Sequence, residues 1–182
     1  MDLPSHVLWT YALERVTAPN FVNSNLEFVL ASLFFAALPD LLESTPFLIY
    51  LTLHRKKYNL KKLVSVYSFA IDINHNRQNE YDASFPWAAK ISFYTHSFLL
   101  FILFALLLRS FSHWLSFSFL IGYGLHLFID VFLHKDYFAS KPLYPLSNFS
   151  IYGFITWYKT KNFSKYNYSL LFLTYLMLFW FR

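Results

Sequence analysis

ISFYTHSFLLFILFALLL (residues 91–108), RSFSH (109–113) and WLSFSFLIGYGLHLFIDVFL (114–133) read as two apolar helices joined by a short connection. A membrane-crossing helix needs about 20 mostly apolar residues. The first arm is apolar but for Ser92, Thr95, His96 and Ser97; the second carries His126 and Asp130. Two long helices joined by a short loop run antiparallel. The predicted centre of the fold is therefore a helical hairpin.

Further apolar segments lie on either side. Residues 26–38 form a third apolar helix, and Pro39 predicts a break or kink near Leu38, because proline disfavours helical geometry in the residue before it. Residues 47–53 are too few to span alone. Residues 168–181 form a fourth apolar segment, and residues 6–15 a mixed, partly embedded helix carrying Glu14 and Arg15. Leu60, Leu63, Val64, Tyr67 and Ile71 share a helical face with Lys61 and Lys62 off it, the pattern of a basic helix lying at a membrane interface. Polar stretches at 72–84 and 135–167 read as connections. The first residues lack a basic region and a small-residue cleavage site, so they read as retained rather than as a signal peptide.

Composition agrees. Of 182 residues, 57% are hydrophobic and 14% charged, where soluble domains carry about a quarter charged. A soluble globule this small cannot hide so much apolar surface. Cysteine is absent, which removes disulfides, thiol nucleophiles and thiolate-bound zinc. The net charge of +5 and 23% aromatic content would also suit a nucleic-acid binder. The charges fall between apolar runs, however, so the expected partners are membrane lipids and not nucleic acid. If 109–113 lies on one side of a membrane, twelve of the fifteen Lys and Arg residues fall on the other, leaving only Arg15, Arg109 and Arg182. Positive charge collects on the cytoplasmic side.

Ionisable residues within apolar helices are costly and mark functional sites. Here they are Asp40, His96, His126 and Asp130, with His6, Glu27, Glu43 and His134 at the margins. His96 lies as far before the turn as His126 lies after it, about 21 Å at 1.5 Å per residue, so the two are level. His126 and Asp130 are four apart and share a helix face, and His134 continues the row. Asp40 and His6 are expected at the same end. Inward histidines and carboxylates from facing helices build bundle metal sites. Without sulfur the set suits Zn²⁺, Mn²⁺ or Fe²⁺, and such an ion activates water and polarises ester or phosphoryl oxygens. Taken singly, each residue has a plainer reading: His96 as an interhelical hydrogen bond, His126 with Asp130 as a polar pair, Asp40 as a turn cap, His134 as an interfacial histidine.

The order His6, Leu38-Pro39-Asp40, Thr95-His96-Ser97, Gly122-Tyr123 through His126 and Asp130, and Pro142-Leu143-Tyr144-Pro145 resembles the membrane-bound metal-dependent hydrolases, the LexA-binding, inner membrane-associated family. More loosely, it is similar to zinc-dependent phospholipase C proteins. The resemblance implies an inner-membrane helical protein whose metal ligands are His6, Asp40, His96, His126 and Asp130. Where the family usually has a second Asp after its Pro-Asp, Leu41-Leu42-Glu43 follows here; where an Arg-Gly pair usually precedes Thr-His, this chain has Phe93-Tyr94.

The expected fold class is all-α, a polytopic membrane helix bundle with a central antiparallel hairpin and an interfacial amphipathic helix. It forms one domain over 1–182, with 1–145 hydrolase-like and 146–182 a C-terminal loop and apolar helix. The expected activity is metal-dependent hydrolysis of a phosphoester or lipid-like substrate at the cytoplasmic face of the inner membrane. Asp130 and Glu43 are the catalytic candidates, with His134 an alternative base. A metal transporter and a non-catalytic interaction protein remain alternatives. Transport sites favour the bilayer midplane, whereas this cluster sits near one mouth.

Overall fold

The computed structural model describes residues 1–53, 88–135, 139–157 and 159–180. The basic amphipathic segment expected at 60–71 and the polar stretch at 72–84 lie outside them. Among the described residues the chain is all-helical, with seven helices: α1 (Leu3–Thr17), α2 (Pro19–Ser24), α3 (Leu26–Leu53), α4 (Ala88–Thr95), α5 (Phe98–Phe111), α6 (His113–Leu133) and α7 (Phe163–Trp180). The Asp2 carboxylate accepts from Ser5 N–H at 3.0 Å and caps α1, with Pro4 in the first turn, where its missing N–H costs nothing.

The hairpin forms as α5 and α6, turning at Ser112, which ends one helix and caps the next. Ser116 Oγ donates across it to the Ala105 carbonyl at 2.9 Å. Ala105, Phe119, Tyr123 and Leu127 make its core, with Phe35, Leu38 and Phe101 packed on them. The first arm is not one helix, as its uniform apolarity suggested. It divides after Thr95, because Ser97 Oγ caps α5 by accepting from Leu100 N–H at 3.4 Å and donates to the Tyr144 carbonyl at 2.7 Å. Leu99 N–H reaches the Pro142 carbonyl at 2.9 Å. The Pro142–Tyr144 stretch thus supplies acceptors where the first arm breaks.

Of the break or kink expected near Leu38, the break does not occur, for α3 continues through Pro39 to Leu53. Proline removes one backbone hydrogen bond, to the carbonyl four residues back, but its ring is fully buried and packing retains the helix. The next carbonyl, that of Ala36, receives His126 Nδ1–H at 2.7 Å.

Contacts fix the helix directions. Ser32 and Ala36 face Gly122, and Ala36 and Asp40 face His126, so α3 and α6 are parallel. His6 meets His126 and Asp130 while Glu14 meets Ser32, so α1 is antiparallel to both. On α7, Tyr168 meets Asp2 and Tyr175 meets Leu8, so α7 runs with α1. The buried positions are notably polar: Ser5, His6, Thr10, Ser32, Ser118, His126 and Asp130 are at most 1% exposed, whereas Phe111, Phe179 and Trp180 are 76% exposed or more. Among the described residues one helix, α6, is long and apolar enough to cross a membrane; α5 is apolar but shorter.

Candidate metal centre

Three helices and one helix break bring the predicted ligands together. Asp130, 1% exposed, is the hub. Its Oδ1 lies 3.2 Å from His6 Nε2, and its Oδ2 lies 3.2 Å from His126 Nε2 and 3.3 Å from His96 Nε2. Asp40 Oδ1 is 3.7 Å from His126 Nε2. One ligand atom from each of His6, Asp40, His126 and Asp130 lies within 4.8 Å of all the others, and Asp40, Glu43 and His96 form a second such set. The Met1 amine also reaches Asp130 Oδ1, at 2.9 Å.

Two of the imidazoles are oriented from behind by backbone carbonyls. His126 Nδ1 donates to the Ala36 carbonyl, which leaves the Nε2 lone pair facing the cluster. The His6 ring stacks on that of His126 with centroids 3.7 Å apart. His96 Nδ1 faces the Ser92 carbonyl at 3.1 Å, turning its Nε2 inward as well. Backbone carbonyls bonded to the outer ring nitrogen are the usual support of a metal-binding histidine. The His96 and His126 Nε2 atoms lie 3.3 Å apart with Asp130 Oδ2 between them in reach. Three acceptors so placed repel one another unless a proton or a cation sits among them. Nitrogen and carboxylate oxygen together fit a borderline divalent ion such as Zn²⁺, Mn²⁺ or Fe²⁺.

His134 plays a different part from the one its position beside Lys135 suggested. Its Nδ1 faces the Asp130 carbonyl at 3.2 Å and Oδ1 at 3.6 Å, and Trp157 Nε1 donates to its Nε2 at 3.3 Å. Burial pushes its pKa down to about 4, against the pull of Asp130, so the ring is neutral at pH 7. With Nε2 accepting from Trp157, His134 meets the Asp130 carbonyl through Nδ1. Glu43 stands at the rim, 31% exposed, with Oε2 3.7 Å from His96 Nδ1.

Tyr123 Oη donates to the Thr95 carbonyl at 2.6 Å and fixes the break that carries His96. Tyr123→Phe removes that bond, with an expected stability cost of about 1 kcal/mol. Metal affinity should fall about tenfold, the lower end for a lost supporting contact. Isothermal titration with Zn²⁺ checks this; unchanged affinity would mean that His96 is held by other contacts.

Two groups escaped the sequence reading. Glu14 is 3% exposed, with Oε1 accepting from Ser32 Oγ. A cavity of about 490 Å³, walled by Leu13, Leu125, Phe128 and Phe132, opens beside the cluster; Met1 lines it while its amine meets Asp130. No family model, no curated protein and no solved structure matches this chain.

Proposed function

We propose that this chain is a multi-pass inner-membrane hydrolase, dependent on a divalent metal, that cleaves a phosphoester or lipid-like substrate at the cytoplasmic face. The observation that carries the reading is the convergence of two Nε2 atoms and the Asp130 carboxylate within 3.3 Å of one another. His6, Asp40, His126 and Asp130 hold the ion, zinc by preference, with His96 closing the set from the helix break. A cation there supplies Lewis acidity toward a phosphoryl or ester oxygen. Glu43, at the rim and acceptor-only when ionised, takes the proton of the attacking water at Oε2. Asp130 would supply the negative charge that the Nε2 atoms of His6, His96 and His126 surround.

Three features support the membrane assignment. Apolar side chains face outward while the polar ones are buried, the reverse of a water-soluble bundle. His6 near the start of α1 and Asp130 near the end of α6 lie at one end of those helices, where Lys135 follows α6. The apolar cavity beside Asp130 suits a hydrocarbon chain whose head lies at the cluster.

The test uses the purified protein in mixed micelles of phosphatidic acid and phosphatidylglycerol. Release of phosphate or of diacylglycerol should stop on chelation, return with Zn²⁺ or Mn²⁺, and be missing from Asp130→Asn. A protein that binds metal in stoichiometric amount yet hydrolyses neither lipid nor small phosphoesters would overturn the reading.

A further inference from the structure

The apolar cavity beside the cluster has a direction and a width. Met1 precedes α1 and Val16 lies in its last turn, and both line the cavity, so it runs the length of that helix, about 22 Å for fifteen residues. Asn167, another lining residue, bonds to Ser5 near the start of α1, which places it toward the Met1 end; Val16 marks the far end. A volume of about 490 Å³ over that length leaves a width of about 5 Å, little more than the separation of about 4 Å between carbon atoms in contact. One hydrocarbon chain fits such a slot, and two side by side do not. An apolar cavity of about 150 Å³ takes up one benzene, so this one holds on the order of twenty carbon atoms.

The chemistry of the wall is as one-sided as its shape. Among the described residues no charged side chain lines it. The polar side chains that do are each engaged within the protein. Trp9 Nε1 donates to Asn167 Oδ1 at 2.9 Å, Asn167 Nδ2 to Ser5 Oγ at 2.7 Å, and Thr174 Oγ1 to the Leu170 carbonyl at 2.9 Å. Leu13, Leu125 and the edge-to-face pair Phe128 and Phe132 supply hydrocarbon and ring surface. Only the Met1 end is polar, because the Met1 amine lies 2.9 Å from Asp130 Oδ1. An apolar pocket with polar groups gathered at one place orients its ligand, and here the polar place is one end of a slot. Phe128 and Val16 are 58% and 61% exposed, so the slot is open along its side and a chain can enter from a surrounding bilayer.

We propose that this cavity seats the single acyl chain of a monoacyl phosphoester, with the chain end at Val16 and the phosphate at the Met1–Asp130 end, and that it selects one-chained over two-chained lipids. The proposal rests on the reading of the cluster as a hydrolytic centre and adds the class of substrate that it takes. A lipid with two chains can place only one of them in the slot and must leave the other outside, against the exposed flank of Phe128. Val16 sets the longest chain that fits.

The experiment uses the full chain in phosphatidylcholine nanodiscs and reads tryptophan emission, with no turnover required. Trp9 lies midway along α1, so bromine in the middle of a seated chain comes beside it and quenches it. The Trp9 signal is the difference between wild type and Trp9→Phe. Palmitoyl lysophosphatidic acid brominated at mid-chain should quench it saturably, at a mole fraction at least tenfold below that needed by phosphatidic acid with the same brominated chains. Val16→Phe, at an exposed position that tolerates bulk, should weaken the palmitoyl probe about tenfold and leave a decanoyl probe, brominated at its end, unchanged. No saturable quenching, equal quenching by the one-chained and two-chained lipids, or a Val16→Phe variant that treats both chain lengths as wild type does, overturns the proposal. Release of phosphate from the same lipids and from a water-soluble phosphoester is measured in parallel. Turnover of the soluble ester without Trp9 quenching removes the chain seat and leaves the hydrolytic reading. Selective quenching in a protein that hydrolyses none of them supports the seat and removes that reading.

Discussion

Asp130→Asn should bind zinc at least about 100-fold more weakly than wild type, more than is lost with a supporting contact. The reason lies in how many partners that one carboxylate serves. His6, His126 and His96 each place Nε2 within 3.3 Å of one of its oxygens. Asparagine keeps the volume but replaces an anionic acceptor with an NH₂ donor. That donor can bond to an Nε2 lone pair, so it consumes a ligand atom as well as removing the charge. For the same reason the fold should survive, and the effect should appear in metal content rather than in the midpoint of thermal unfolding. Plasma mass spectrometry of purified protein, with competition titration against a chelator, reads it directly. His113→Ala serves as control, since His113 opens α6 at the opposite end of the helix. Equal, stoichiometric zinc in wild type and Asp130→Asn would show that Asp130 is not a ligand, and no zinc in either would show that protons satisfy the converging atoms.

The periodicity of α6 made half of this site legible beforehand. His126, Asp130 and His134 lie on one helical face, and equal distances from the 109–113 turn put His96 level with His126. The Nε2 atoms do lie 3.3 Å apart. The division of the first arm was not legible, because residues 91–108 are almost uniformly apolar and what divides them is remote. Ser97 finds its acceptor in Tyr144, forty-seven residues along the chain. At Pro39 the local rule was present and lost to packing, since the buried ring is held within a helix that continues to Leu53. Glu14 was hidden for a similar reason. Beside Arg15 it looks like a residue of a polar helix end, and only the antiparallel approach of α1 to α3 places it against Ser32, eighteen residues away. Patterns of period 3.6 reveal which residues share a face; they do not reveal which face meets which neighbour.

That last point sets up the largest structural effect, at Gly122. A Cβ added there would lie 2.0 Å from the Ser32 carbonyl oxygen and 2.9 Å from the Ala36 amide nitrogen. Both are backbone atoms of α3 and cannot swing aside as a side chain tip can. In an exposed helix, glycine to alanine is favourable by about 1 kcal/mol. Here the clash reverses the sign: α3 must shift away from α6, and overpacking of a rigid contact costs about 3 kcal/mol or more. The shift also moves the Ala36 carbonyl, which orients His126, so the cluster opens together with the helix contact. Gly122→Ala should therefore lower both the unfolding midpoint and the zinc content. Gly124→Ala, two residues on, is the comparison. Its added Cβ meets only the Phe101 ring edge, at 3.1 Å, and that ring can tilt. It should be within about 1 kcal/mol of wild type, with the helix-propensity gain offsetting the contact, and should retain its metal. Should Gly122→Ala match Gly124→Ala in both measurements, the close parallel contact of α3 with α6, and with it the alignment of Asp40 and His126, would have to be abandoned.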